Sequence, residues 1–137
     1  MDDQANEAVE VLLNFSAEMK AWNDKYYLLM NKAAAEHVKD AIAELKPIFD
    51  RHVWEDAARR DERLNAPSTS EPSEYDPDSE IIADTEISKK KVLIRVQTQT
   101  GFKNEFRYTI SEINSVWKIK RKDVFMPLNN KWKCYHI

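Results

Sequence analysis

The spacing of apolar residues changes once along this chain, and that change dictates what it can fold into. Before about Glu80 apolar side chains recur every three or four positions; after it they alternate. The first spacing matches a helix of 3.6 residues per turn with one buried stripe, the second a strand with one buried face. The order of elements is therefore helices first and strands second, an α+β domain in which helices cover one face of a sheet. At 137 residues the chain suits one domain. A chain of that size buries roughly two-thirds of its unfolded surface and can build a core without disulfides or metal.

In the helical part, Ala5, Val9, Leu12, Phe15, Met19, Trp22 and Tyr26 lie on one stripe. Asp2 and Asp3 suit the positive end of the helix dipole. The stripe is broad and aromatic, as expected of a helix laid on a sheet. A second helix is predicted from about Asn31 to Lys46, with Ala34, Val38, Ala41, Ile42 and Leu45 inward. Pro47 lacks an N–H and disfavours helical geometry at Lys46, so it is read as the first residue of a third helix. That helix would bury Ile48, Phe49 and Val53, with Trp54 at its margin, and fade between Arg60 and Leu64. A single kinked helix is the alternative.

Residues 65–79, NAPSTSEPSEYDPDS, hold three prolines and five Ser or Thr residues and are predicted as a polar, acidic and partly mobile loop. Between Leu64 and Ser88 there are seven acidic residues and no basic one. Five strands follow: EIIADTEIS, KKVLIRVQTQT, NEFRYTI, SVWKIKRKDVF and KWKCYHI, joined by turns at TGFKN, SEINS and LNN. Short polar turns between alternating segments give an antiparallel meander, covered on one face and wet on the other. Phe15, Trp22, Phe106 and Trp117 are predicted core residues, and Lys118, Lys120 and Lys122 are assigned to the wet face.

The net charge of −3 hides an imbalance. Residues 1–88 carry 9 basic and 21 acidic side chains, whereas residues 89–137 carry 12 and 3. Such a chain can meet a charged partner with either half, or the halves neutralise each other within the fold.

The residues argue against most chemistry. One glycine leaves no phosphate-binding loop or dinucleotide fingerprint. Cys134 and His136 lie two residues apart on a strand, but two ligands do not make a zinc site, and His37 and His52 are distant in sequence. Nor does that pair have the third group that would orient a nucleophile and its base. Tyr26, Tyr27 and Tyr108 sit among apolar neighbours, as core or core-edge aromatics do. The run KIKRK at Lys118–Lys122, with Lys89, Lys90 and Lys91, has the composition of a phosphate-binding patch, yet the chain is acidic overall and a solvated sheet face explains it. No metal, cofactor or nucleic acid is expected. One cysteine cannot form an internal disulfide. No apolar run approaches the ~20 residues a membrane span needs, and the acidic start lacks a signal-peptide core. A cytoplasmic location is expected.

Four segments carry a resemblance: VLLNFSAEMKAWNDKYY (11–27), ELKPIFDRHV (44–53), SEYDPDSEII (73–82) and FRYTISEINSVWKIKRKDVF (106–125). In this order the chain resembles the nuclear-transport-factor-2-like fold immunity proteins of bacterial polymorphic toxin systems. NAPSTS departs from the pattern. The resemblance implies a cone of helices on a curved antiparallel sheet, and a non-enzymatic inhibitor of a cognate toxin. It brings no catalytic residues. The competing class is a small-molecule enzyme or ligand-binding protein of the same fold, isomerase- or dehydratase-like, which would need an open cone with a buried Asp facing Tyr or His. For an inhibitor, the expected toxin contact is Glu74, Tyr75, Asp76, Asp78 and Glu80, an acidic stretch long enough to reach beyond the domain. Lys118, Lys120 and Lys122 are the alternative face.

Overall fold

The computed structural model describes residues 3–99 and 104–137. Asp2 and residues 100–103, most of the predicted TGFKN turn, lie outside that range. The first element, α1 (Asp3–His52), is two helical limbs joined at Ala33, whose φ of −155° and ψ of 71° leave the helix. The limbs, 3–32 and 34–52, run side by side in opposite directions: Phe15 meets Phe49, with ring centroids 5.7 Å apart, and Trp22 Nε1 donates to the Ala41 carbonyl at 2.9 Å. Tyr26 and Lys25 both reach Glu44, and Glu18 bridges Arg51 and His52. No breaker residue stands at Ala33. The turn forms because two apolar stripes bury each other and the sheet beneath.

Pro47 does not begin a third helix; it lies inside the second limb, which continues to His52. Proline deprives the Ala43 carbonyl of its i+4 donor. Both Ala43 and Pro47 are exposed, so water can satisfy that group, while buried Leu45, Ile48 and Phe49 hold the helix in place on either side. After His52 the chain leaves the helix. Val53 forms a parallel bridge with Ile119, and the N–H groups of Trp54 and Ala58 donate to the carbonyls of Ile119 and Lys120 at 3.0 and 3.1 Å. A short α2 (Arg60–Asn65) follows.

Among the described residues, β1 (Ile81–Ser88), β2 (Lys91–Gln97), β3 (Glu105–Ile113), β4 (Val116–Met126) and β5 (Lys131–Tyr135) form one antiparallel sheet in sequence order. β3 runs three residues past NEFRYTI, which shortens the predicted SEINS turn to Asn114 and Ser115. Both have positive φ, 52° and 68°, a backbone that follows the twist of the flanking strands. Val92, Ile94 and Val96, then Phe106, Tyr108 and Ile110, then Trp117 and Ile119 face α1 and are buried. The four predicted core aromatics are all buried: Phe15, Trp22, Phe106 and Trp117. The outer face is a lattice of mixed charge rather than a basic one. Arg95 meets Asp84 and Glu105, and Asp123 lies between Arg107 and Arg121.

Candidate functional site

A bulge in β4 determines what fills the hollow of the sheet. Thr109 pairs with Arg121 but its neighbour Ile110 pairs with Ile119, so Lys120 has no partner on β3. One extra residue reverses the alternation that follows. Trp117 and Ile119 point inward before it, and Lys122 points inward after it, fully buried. Lys122 therefore does not share the wet face with Lys118 and Lys120. Those two lysines are also engaged. Lys118 Nζ donates to the Asp50 carbonyl at 2.8 Å, over the Trp54 ring, and Lys120 pairs with Asp56 at 2.6 Å.

A buried ammonium requires compensation. The segment 66–80 between α2 and β1 supplies it and forms a strap over the open end of the sheet. Lys122 Nζ donates to Glu74 Oε1 and to Tyr75 Oη, both at 3.2 Å. It also lies over the rings of Phe106 at 4.2 Å and Tyr75 at 4.4 Å, with Tyr108 and Tyr135 somewhat farther away. Such cation–π contacts are strongest where water is excluded. Glu74 Oε2 faces His136 Nε2 at 3.6 Å. Burial by itself would raise the Glu74 carboxyl, but Lys122, His136 and Arg63 overrule it and hold its pKa at about 2. Burial pushes the hydroxyls of Tyr75 and Tyr108 upward, against the pull of Lys122 on Tyr75. Burial works against the Lys122 charge too, and the fields of Glu74 and Tyr75 outweigh it, so its pKa is raised.

The rest of the strap is tied down as well. Asn23 and Ser70 exchange a reciprocal pair: Asn23 Nδ2 donates to the Ser70 carbonyl at 3.0 Å, and Ser70 N–H donates to Asn23 Oδ1 at 2.9 Å. Arg63, buried against the Trp22 ring, donates to the carbonyl and hydroxyl of Ser68 and to the main-chain oxygen of Ile137. Tyr75 packs edge-on to Phe15 at 5.3 Å. The loop predicted to be partly mobile and to reach beyond the domain is bolted onto it. Proline and serine composition describes the backbone; it carries no signal for a tyrosine that inserts into the core.

The five acidic-loop residues thus divide. Glu74 and Tyr75 turn inward to Lys122. Glu80 accepts from Asp76 N–H at 3.0 Å, and burial raises its pKa. Asp76 and Asp78 remain at the surface in a tight turn, in which Asp78 N–H donates to Asp76 Oδ1 at 3.1 Å. Asp76 joins Asp24, Glu71, Tyr27 and Leu28 around a shallow groove between strap and helix, with Leu28 62% exposed. Beside the strap a cavity of about 350 Å³ is lined by Arg63, Asn104, Phe106, Tyr135 and His136, among others. Cys134 and His136 do not work together: the Cys134 thiol donates to the Tyr135 carbonyl at 3.9 Å, and His136 turns to Glu74. Among the described residues, no three of His, Cys, Asp and Glu gather as metal ligands would. No helix among them is long and apolar enough to cross a membrane.

A family model described as NTF2 fold immunity protein matches residues 7–136. The chain belongs to that family. It is also 32% identical to the immunity protein RhsIA of Dickeya dadantii (strain 3937) over 135 residues, 98% of each chain. No solved structure matches. The immunity-protein fold accounts for the long helical element on a curved five-stranded sheet, and the alignment spans strap and sheet alike.

The Glu74 charge gives this immunity protein an acid-sensitive strap. Its folded pKa of about 2 lies below the ordinary 4.5, so the unfolded chain binds more protons at intermediate pH. The stabilisation is complete above 4.5 and is lost as pH falls toward 2. It amounts to about 2–3 kcal/mol. Urea midpoints measured from pH 6 to pH 2.5 should fall less steeply for Glu74→Gln than for the parent. Parallel curves would mean that Glu74 is not held as described.

Proposed function

We propose that this immunity protein neutralises its toxin by binding alone, in the cytoplasm, through the acidic surface of the strap. The observation that carries this reading is the packing of the sheet's hollow: Tyr75, Lys122, Tyr108 and Phe106 fill its interior, and the cavity lined by Arg63, Tyr135 and His136 lies beside the strap. The strap also meets a requirement of tight binding. Its turn is fixed in advance, so little conformational entropy is lost when a partner docks. Asp76, Glu71 and Asp24, the last paired with Lys20, line a groove with Tyr27 and the exposed Leu28, an apolar centre with a mainly acidic rim. The complementary surface is basic, as is the catalytic face of a toxin that acts on nucleic acids. Opposite charge speeds encounter and rejects wrong partners.

The test replaces Glu71, Asp76 and Asp78 with Ser, leaving the half-buried Glu74 and Glu80 alone. Association with the toxin domain should slow by about tenfold at low salt and lose most of its salt dependence, with unchanged stability. A Lys118→Glu/Lys120→Glu variant should bind as the parent does. The opposite pair of results would move the contact to the basic surface.

A further inference from the structure

The two edges of the sheet are treated differently. At one side, β5 is five residues long and carries Lys131 and Lys133, and Arg59 Nη1 donates to the Cys134 carbonyl at 3.2 Å. The neighbouring length of β4 is covered by residues 53–58. Short length, edge lysines and cover are the usual protections against pairing with another chain. At the other side, β1 lacks all three, and its one irregularity is a bulge at Ala83, between the pairs Ile82–Val96 and Asp84–Arg95. It is eight residues long, contains no Lys or Pro, and all but Ile82 are exposed. Ile81 is 54% and Ile87 41% exposed. Among the described residues β1 pairs with β2 alone, and α1 touches its far end, where Gln4 Nε2 donates to the Ser88 carbonyl at 3.3 Å. Alternate residues of such a strand turn their N–H and C=O groups to the open side. Counting from Ser88–Lys91, the pair that closes the hairpin, Thr85 and Ile87 are two of them.

We propose that β1 is a docking edge onto which a strand of the toxin adds, extending the sheet by one. The inference rests on the toxin-binding reading above and deepens it, because the strap runs directly into β1. The side chains define the occupant. On the α1 side β1 presents Ile82, Thr85 and Ile87, opposite the buried Val96, Ile94 and Val92. On the outer side it presents Asp84 and Glu86, beyond Arg95 and Leu93. The matching strand alternates apolar residues with Lys or Arg. A second copy of this chain does not fit. Two β1 strands paired across a dyad at Thr85, the middle of the strand's open stretch, would set Asp84 and Glu86 against each other, and like charges directly opposed are destabilising.

The experiment uses the full chain and the purified cognate toxin domain. Amide hydrogen exchange of residues 81–88 should slow in the complex, with the largest change at Thr85 and Ile87. Thr85→Pro removes a donor on the open side, where an edge strand tolerates proline, and should weaken binding roughly 30–100-fold without altering the β1–β2 pairing. If the parent binds and β1 amides exchange as in the free protein, the docking edge is wrong even where the strap substitutions weaken binding. If the parent does not bind the toxin domain, the edge and the toxin-binding reading both fall. The exchange measurement needs only the parent, so it decides the question even if Thr85→Pro fails to fold.

Discussion

Lys122→Ala should destabilise the protein by about 3–5 kcal/mol, the usual loss when one member of a buried ion pair is removed. The lysine is fully buried, and its ammonium is the cation that Glu74 and the Tyr75 hydroxyl both use. Alanine would also leave a void among the rings of Tyr75, Phe106 and Tyr108 that now surround the ammonium. The charge and the volume can be separated. Lys122→Met keeps most of the volume but leaves Glu74 with only His136 and the field of Arg63. The double variant Lys122→Met/Glu74→Gln removes both charges and should recover most of the loss, because an apolar pair of similar size commonly replaces a buried ion pair without penalty. Urea denaturation of the four proteins checks this. A Lys122→Ala midpoint close to the parent's would mean that Lys122 is not the pivot of the strap.

Tyr75→Ala should cost a further amount of the same size, about 3–5 kcal/mol, as expected for a large buried aromatic. Its effect should also be local. Tyr75 is the deepest anchor of the strap, edge-on to Phe15 and bonded to Lys122. Without it, residues 66–80 keep the Asn23–Ser70, Arg63–Ser68 and Glu74–Lys122 ties and lose the ring that packs into the core. Amide exchange should therefore accelerate across the strap far more than in β3 or β4. Tyr75→Phe keeps the ring and drops one bond from a charged donor, which is worth roughly 1.5–3 kcal/mol. Equal losses from Ala and Phe would assign the anchor to the hydroxyl; a Phe variant much closer to the parent would assign it to the ring. Uniform exchange across the chain after Tyr75→Ala would show that the strap is not a separate unit.

Period alone was enough to read the layers. The stripe through Leu12, Phe15, Met19 and Trp22 is buried, and so are the alternating sets at Val92–Val96 and Phe106–Ile110. Hydrophobic burial acts on each element separately, so its pattern is local and legible. Pro47 was misread as a boundary because the proline rule counts one lost hydrogen bond. Whether that bond matters depends on which side of the helix faces water, and here it is the solvent side.

What the amino-acid order determined was the sequence of elements, their inward faces over most of their length, and, through the run of segments from Val11 to Phe125, the family. Two features were decided only by the folded molecule. Residues Lys120–Asp123 are four polar side chains in succession, and alternation cannot say which of them faces inward; the pairing of β3 with β4 inserts the bulge and turns Lys122 into the core. The acidic loop could be assigned to the surface by composition, but not the half of it that a buried cation would draw inside. Lys122 and Glu74 are 48 residues apart. Their attraction is worth little in an open chain surrounded by water and much in a site from which water has been removed, so it exists only once helices and sheet have closed around it.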